Sequence, residues 1–265
     1  MFIEISKGIV LGIVEGVTEF LPISSTGHLI LINEWIRFSG PFTAMFDIVI
    51  QLGAVLAVIA YFWKTLWPFS ADSAHVRSAS ILWMKAVIGV LPVIVLGLLF
   101  GQTIEEKLFN PLTVASALLA GGIILILIEN RPLPVRFNAV VDIPYATAFG
   151  IGVVQGLSMI PGTSRAAATI IGAMLLGVSR KAAVEFSLFL AIPTMVAASG
   201  YSLLVHKTVL TSDQLIVLLV GFIVAFVTAL AVIRLFVGFI EHRDFKPFGY
   251  YRIVLGLLVI AFVVL

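Results

Sequence analysis

The sequence predicts an all-α polytopic membrane protein with about ten helical segments: six transmembrane spans and two re-entrant helical hairpins, arranged as an inverted-topology repeat. Three observations predict this class. The composition is strongly apolar, two proline-containing breaks interrupt apolar sequence, and the two halves of the chain are weakly similar to each other. Residues 1–265 are expected to form one membrane domain.

The composition requires lipid as the solvent. Apolar residues make up 61% of the 265 residues and charged residues 11%, whereas soluble domains carry about 25% charged residues. A net charge of +2 without a dense Lys/Arg cluster argues against a nucleic-acid partner. The absence of cysteine excludes disulfides, thiolate metal sites and a cysteine nucleophile.

The helical segments follow from the apolar runs. A full span needs about 20 residues, and the third, fourth, fifth, eighth, ninth and tenth segments meet that length, the shorter ones marginally. The predicted segments are 3–20, 25–36, 43–63, 81–100, 112–129, 143–159, 163–177, 181–205, 213–240 and 249–265.

The remaining four segments flank two breaks. Leu21-Pro22-Ile23-Ser24-Ser25 interrupts the first pair, and Ile160-Pro161-Gly162-Thr163-Ser164 interrupts the second. Proline removes a backbone donor and Ser/Thr favour helix starts. Irregular backbone at membrane depth is tolerated only inside protein or beside a wet cavity. Each break therefore predicts a hairpin whose tip lies within the bundle.

The two breaks also resemble each other. Gly12–Thr18 aligns with Gly152–Ser158 and, after one gap, Pro22–Ser25 aligns with Pro161–Ser164. This predicts pseudo-repeats over 1–130 and 140–265. A re-entrant pair crosses the membrane zero times and three spans are an odd number, so the second half starts on the opposite side. The repeats are then inverted and their tips can meet near the midplane.

The distribution of Lys and Arg predicts the orientation. The richer side should be cytoplasmic, which puts both termini and the mouth of the first hairpin outside. One side collects Lys64, Arg77, Lys85, Arg131, Arg136, Arg180, Lys181, Arg234, Arg243, Lys246 and Arg252. The other collects Lys7, Arg37, Lys107 and Lys207.

Acidic and hydroxyl residues cluster at the first break. Glu15 and Glu19 lie one helical turn apart on one face, and intramembrane carboxylates are costly and usually functional. They could instead form a polar face at the mouth of a surface helix. Ser25 is a candidate nucleophile and His28 a candidate proton carrier, although the hydroxyls could simply cap the next helix.

The second break predicts an anion site. Gly162 lets backbone approach a ligand, the following helix offers free N–H groups, and Arg165 can bind phosphate oxygens bidentately, or only neutralise the carboxylates. Ser24, Thr26, Thr163 and Ser164 add polar groups to this predicted phosphate site. Two carboxylates beside a phosphate also suggest a divalent cation, Mg²⁺ or Ca²⁺, held by Glu15 and Glu19.

Together these residues predict phosphoryl chemistry at a lipid-accessible site. A lipid or ion transporter on the same inverted-repeat scaffold is the alternative, because transporters also use broken helices and charges at the midplane. Transport does not need the Glu-x-x-x-Glu and Ser-x-x-His set. Asp47 and Gln51 share a helix face below the first hairpin, although Asp47 is more typical of a helix start.

The motifs resemble a known family. The segment from Glu15 to His28, EGVTEFLPISSTGH, closely resembles the first motif of the undecaprenyl pyrophosphate phosphatases, also called bacitracin resistance proteins, and Pro161–Arg165 resembles their second. The likeness runs over nearly the whole chain. In one departure, Ala166 follows Arg165 where the family pattern usually has serine, while Thr169 keeps its expected place.

The resemblance implies an integral-membrane phosphatase of the bacterial cytoplasmic membrane with an outward-facing site. Its polyprenyl pyrophosphate substrate would be hydrolysed to the lipid monophosphate and phosphate, recycling the lipid carrier of cell-wall synthesis. The family's acids fall on Glu15 and Glu19, its serine and histidine on Ser25 and His28, and its arginine on Arg165. A flippase activity and a homodimer stay open at this point.

Overall fold

The computed structural model describes residues 1–33, 35–36, 38, 40, 42–205 and 210–264. In these residues the chain forms eleven α-helices and no strand, and an isolated parallel bridge joins Phe137 to Val178. The predicted all-α class is confirmed. The helices are α1 Phe2–Thr18, α2 Ser25–Ile32, α3 Phe42–Tyr61, α4 Trp63–Leu66, α5 Ser73–Leu108, α6 Pro111–Glu129, α7 Tyr145–Gln155, α8 Arg165–Leu175, α9 Arg180–Val205, α10 Ser212–Ile240 and α11 Lys246–Val259.

Six helices in the described ranges are long and apolar enough to cross a membrane: α3, α5, α6, α9, α10 and α11 with its continuation to Val263. They correspond to the six predicted spans. Helix α5 begins at Ser73, well before the predicted residue 81, because Asp72 caps it by accepting a hydrogen bond from the Ala74 amide at 2.9 Å. Its 36 residues extend about 54 Å, so it continues beyond a hydrocarbon core of about 30 Å.

The two breaks fall where the sequence predicts them, but the helices around them are shorter. Helix α2 ends at Ile32 rather than at residue 36, and α7 gives way after Gln155 to a 3₁₀ turn, Gly156–Met159. Each half therefore contains a short helix, an irregular segment and a second short helix.

One short helix of each half packs mainly on a long helix of the other half. Helix α1 packs against α10 and α7 against α5. A Cβ on Gly12 would lie 2.7 Å from the Gly221 carbonyl oxygen, and a Cβ on Gly152 would collide with the Gly89 carbonyl. Among the remaining long helices, α3 packs on both α10 and α9, and α6 packs on α11. The two halves are thus interleaved rather than placed side by side.

Ion pairs join the helix ends at Glu129, Arg180, Lys181 and Glu241. The Glu129 carboxylate accepts hydrogen bonds from Arg180 Nε at 2.9 Å and from the Phe245 amide at 3.1 Å. Lys181 Nζ lies 2.6 Å from Glu241 Oε1. These contacts tie α6, α9, α10 and the start of α11 together.

Two residues that the sequence analysis counted among the charges of the richer side are buried. Lys85 is 3% exposed and donates to the Val140 and Val141 carbonyls at 3.0 and 2.6 Å. Arg252 is fully buried. Each donates to backbone carbonyls inside the bundle, so neither adds to the charge that faces water on that side. Arg37 and Lys207, counted on the opposite side, lie outside the described residues.

Candidate active site

The two breaks have the same backbone geometry. Ser24 (φ 74°) and Ser164 (φ 69°) have positive φ, which no other non-glycine residue in the described ranges adopts. Each serine caps the helix that follows it: Ser24 Oγ accepts from the Gly27 amide at 3.3 Å, and Ser164 Oγ accepts from the Ala167 amide at 3.2 Å. Such backbone costs about 1–3 kcal/mol per residue and concentrates at functional sites.

This correspondence bears on the predicted alignment of the two breaks. Ser24 and Ser164 lie 140 residues apart, the same shift that aligns Gly12–Thr18 with Gly152–Ser158, so the breaks match without the gap that the sequence comparison introduced. Ser25 and Arg165 then occupy equivalent positions, each as the first residue of its helix. Glu15 likewise corresponds to Gln155.

A cavity of about 220 Å³ lies between the two breaks. Both halves contribute to its wall, and most of the lining side chains are polar. The lining residues are Glu19, Ser24, Ser25, Thr26 and Gln51 from the first half, and Ser158, Gly162, Ser164, Arg165, Thr194, Met195 and Ala198 from the second.

Glu19 connects the two halves within the cavity. Its Oε2 accepts a hydrogen bond from Ser25 Oγ at 2.7 Å, and its Oε1 lies 3.5 Å from Arg165 Nη2. The Glu19 and Arg165 side chains are each 8% exposed. The structure therefore brings a carboxylate, a hydroxyl and a guanidinium into one pocket.

Arg165 is held from behind by α9. Its Nη1 donates to the Ser187 carbonyl at 3.0 Å, and its guanidinium carbon lies 5.7 Å from the centre of the Phe20 ring. Thr169, one turn further along α8, shares a hydrogen bond of 2.6 Å with the Ser187 hydroxyl. These contacts hold the guanidinium group in place, with its Nη2 directed towards Glu19.

Glu15 lies one turn behind Glu19 and does not line the cavity. It is fully buried, and neither of its carboxylate oxygens has a hydrogen-bond partner among the described residues. A buried carboxylate without a partner is costly, so these oxygens are suited to a proton, a water or a cation.

The fit to a divalent cation rests on this pair of carboxylates. Across the described ranges, no group of three or more His, Cys, Asp or Glu side chains could hold a metal ion. Two carboxylates can still bind a hard cation when substrate oxygens complete its shell. Glu15 and Glu19 would be the ligands of such a cation, and the unpartnered Glu15 oxygens are the observation that favours them.

His28 is close in sequence to the cavity but does not line it. Its Nδ1 is 2.7 Å from the Ser24 carbonyl oxygen and its Nε2 is 2.7 Å from the Tyr251 hydroxyl, with the two rings stacked 5.5 Å apart. A carbonyl only accepts, so Nδ1 carries the proton and, in the neutral ring, Nε2 accepts from Tyr251. Both ring nitrogens of His28 are therefore bonded to groups other than Ser25 and Glu19.

Four other candidates can now be placed. Thr163 lies in the second break outside the cavity lining, while Thr26 and Gln51 line the cavity. Asp47 lies in the second turn of α3, which begins at Phe42, so its interpretation as a helix start was wrong.

Arg252 is a residue that the sequence analysis missed at this site. From α11 it donates to the Pro22 carbonyl at 3.3 Å and to the Gly162 carbonyl at 3.0 Å, one from each break, and to the Ala117 carbonyl at 3.0 Å. A Cβ on Gly121 would collide with its guanidinium. The sequence did contain an indication of this role. Arg252 is a charged residue inside the last apolar segment, and charged residues within the membrane are usually functional.

The helices and the cavity define a class: a multi-pass membrane protein with a polar cavity lined by an arginine, a carboxylate and several hydroxyls. Residues 8–258 match the family model described as Bacitracin resistance protein BacA. The chain belongs to this family.

Curated relatives of similar length carry one name. "Undecaprenyl-diphosphatase" of Lachnoclostridium phytofermentans is 48% identical over 273 aligned positions, covering 100% of this chain and 98% of the relative. The protein of that name from Enterococcus faecalis is 47% identical, covering 98% and 97% of the two chains. "Undecaprenyl-diphosphatase 1" of Clostridioides difficile is also 47% identical, covering 98% and 96%.

Proposed function

We propose that this protein is an integral-membrane phosphatase that hydrolyses undecaprenyl pyrophosphate to undecaprenyl phosphate and inorganic phosphate. By returning the lipid carrier to cell-wall synthesis it would confer bacitracin resistance. The observation that carries the proposal is the pocket in which Glu19 accepts from Ser25 and pairs with Arg165. Family membership and the name shared by full-length relatives agree with this activity.

We propose further that the helices around the breaks form two re-entrant hairpins of an inverted repeat over 1–130 and 140–265, within one membrane domain. The matched serine caps and positive φ values support this proposal. So does the packing of α1 on α10 and of α7 on α5, in which a short helix of each half contacts a long helix of the other. Helices α1, α2, α7 and α8 have at most 17 residues each, fewer than the roughly 20 that a span needs.

The protein is a multi-pass membrane protein, and its proposed location is the bacterial cytoplasmic membrane with the cavity open to the outside. The supporting argument is the excess of Lys and Arg on one side, which persists after Lys85 and Arg252 are removed from the count. A homodimer stays a prediction, to be checked by light scattering of the purified protein.

The geometry suggests how the pocket handles the terminal phosphate. Arg165 and the free amides at the start of α2 and α8 would neutralise phosphate oxygens, with Ser24, Thr26, Gly162, Thr163 and Ser164 as the predicted binding residues. In one route the Ser25 proton passes to Glu19 while Ser25 Oγ attacks the terminal phosphorus. The bond from that phosphorus to the bridging oxygen then breaks, and undecaprenyl phosphate leaves.

Water would then hydrolyse the phosphoserine and release inorganic phosphate. In the second route, water attacks the phosphorus directly and Glu19 takes its proton. His28, predicted as the proton carrier, would have to break its hydrogen bond to Tyr251 to act in the cavity. A cation held by Glu15 and Glu19, Mg²⁺ or Ca²⁺, would supply additional charge neutralisation for the phosphate.

Two assays on purified protein test the proposal. Release of inorganic phosphate from undecaprenyl pyrophosphate separates the phosphatase from a transporter on the same scaffold, which would release none. Ser25→Ala, combined with acid trapping of a phosphoenzyme in the wild type, separates the two routes. Full activity of Ser25→Ala would eliminate the serine route.

A further inference from the structure

The cavity wall from the second half differs chemically from the wall at the first break. Ser158, Thr194, Met195 and Ala198 line this side, apart from the loop residues and Arg165. Two carry hydroxyls and two are apolar, and none is ionisable. A substrate with two phosphates and a hydrocarbon chain needs polar groups for its second phosphate and apolar groups for the chain, in addition to the residues at the terminal phosphate.

A buried amide lies behind the hydroxyls. Thr194 Oγ1 is 3.3 Å from Gln155 Oε1 and donates to the Leu190 carbonyl at 2.7 Å. Gln155 is fully buried, and its Nε2 has no hydrogen-bond partner in the described part of the chain. An unsatisfied buried donor costs about 1–3 kcal/mol, so Gln155 has unused donor capacity next to the cavity wall.

The position of Gln155 in the repeat shows why its neutrality matters. It corresponds to Glu15 at the shift of 140 residues defined by Ser24 and Ser164. The first half thus places the Glu15 carboxylate behind its wall, and the second half places a neutral amide there. The Ser158 hydroxyl, and the single Thr194 proton once it turns from the Leu190 carbonyl, can donate to an anion without the repulsion that a carboxylate would add.

On the basis of the proposed function, we propose that Ser158 and Thr194, supported by Gln155, bind the lipid-linked phosphate, with Met195 and Ala198 against the first part of the hydrocarbon chain. The terminal phosphate then lies at Ser25 and Arg165. This second subsite orients the substrate so that attack occurs at the terminal phosphorus.

The two products separate the two subsites experimentally. Undecaprenyl phosphate carries the lipid-linked phosphate and should occupy the second subsite, whereas inorganic phosphate should occupy the first. The experiment measures inhibition of wild type, Ser158→Ala and Thr194→Val by each product, in mixed micelles at a fixed lipid fraction. Ser80→Ala and Thr103→Val are matched controls, because both residues are exposed on α5 and line no part of the cavity.

We expect each cavity variant to raise the inhibition constant of undecaprenyl phosphate about tenfold, the effect of losing a hydrogen bond to a charged group. The inhibition constant of inorganic phosphate should stay within twofold of wild type, and the controls should change neither. Unchanged inhibition by undecaprenyl phosphate, or an equal change for both products, would overturn the second subsite. Failure of the wild type to release phosphate would instead refute the proposed function.

Discussion

The first and second breaks share a backbone but carry different chemistry. Both have a positive-φ serine that caps the next helix, and both present that helix start to the cavity. The first residue after the cap is Ser25 in one half and Arg165 in the other. The two similar breaks thus place a hydroxyl and a carboxylate on one side of the cavity and a guanidinium on the other, so neither break alone supplies all three groups.

The largest expected loss of activity comes from removing the guanidinium of Arg165. Arg165→Ala should lower kcat/KM by about 10³-fold or more, because guanidinium groups on a transferring phosphoryl group have effects of that size. Phosphate release by purified, folded protein is the measurement. Arg165→Lys serves as the control: it keeps the charge and should retain more activity than Ala. A near-normal rate for Arg165→Ala would remove this residue from the mechanism.

Arg252 joins the two breaks, so its loss should affect both at once. Arg252→Met leaves the Pro22, Ala117 and Gly162 carbonyls without their donor. We expect a loss of about 2–5 kcal/mol in the free energy of unfolding and lower kcat, measured by thermal unfolding and phosphate release. Lys246→Met, at the start of α11 and a third exposed, is the control and should change neither by much. An Arg252→Met protein as stable and active as wild type would show that the link is dispensable.

Gln155→Glu makes the second half resemble the first. A carboxylate behind the neutral wall should repel the substrate phosphates and raise KM about tenfold, a typical size for a nearby like charge. Gln155→Met, similar in length but uncharged, should raise KM less. Equal KM values for the two variants would show that charge at this position is irrelevant.

The smallest expected effect is on the melting temperature, from replacing Ser164, which caps α8. Ser164→Gly removes the hydroxyl that accepts from Ala167 but relieves the positive φ. Glycine at a cap costs only a few tenths of a kcal/mol and tolerates this backbone, so the melting temperature should change little. Ser164→Val, which is β-branched and cannot cap, should lower it clearly. Similar melting temperatures for the two variants would refute the role assigned to the backbone.

The sequence was sufficient to predict the spans, the breaks and the pocket at Glu19, Ser25 and Arg165, because apolar run length, proline and intramembrane charge are read from residue types. The contacts of Arg252 were not predictable in this way, since its acceptors are backbone carbonyls from three separate segments. The same holds for Thr194, which reaches the cavity only because α9 packs beside the second break. The position of His28 differed from the predicted one because its ring is bonded to Tyr251, which is distant in sequence.

The central claim is that Glu19 from one half and Arg165 from the other act as a unit. A double-mutant cycle of Glu19→Gln and Arg165→Gln, read as kcat/KM for undecaprenyl pyrophosphate, tests this most directly. We predict strong non-additivity, with the double variant no slower than the worse single variant within about threefold. Independent, multiplicative losses from the two substitutions would contradict a shared pocket.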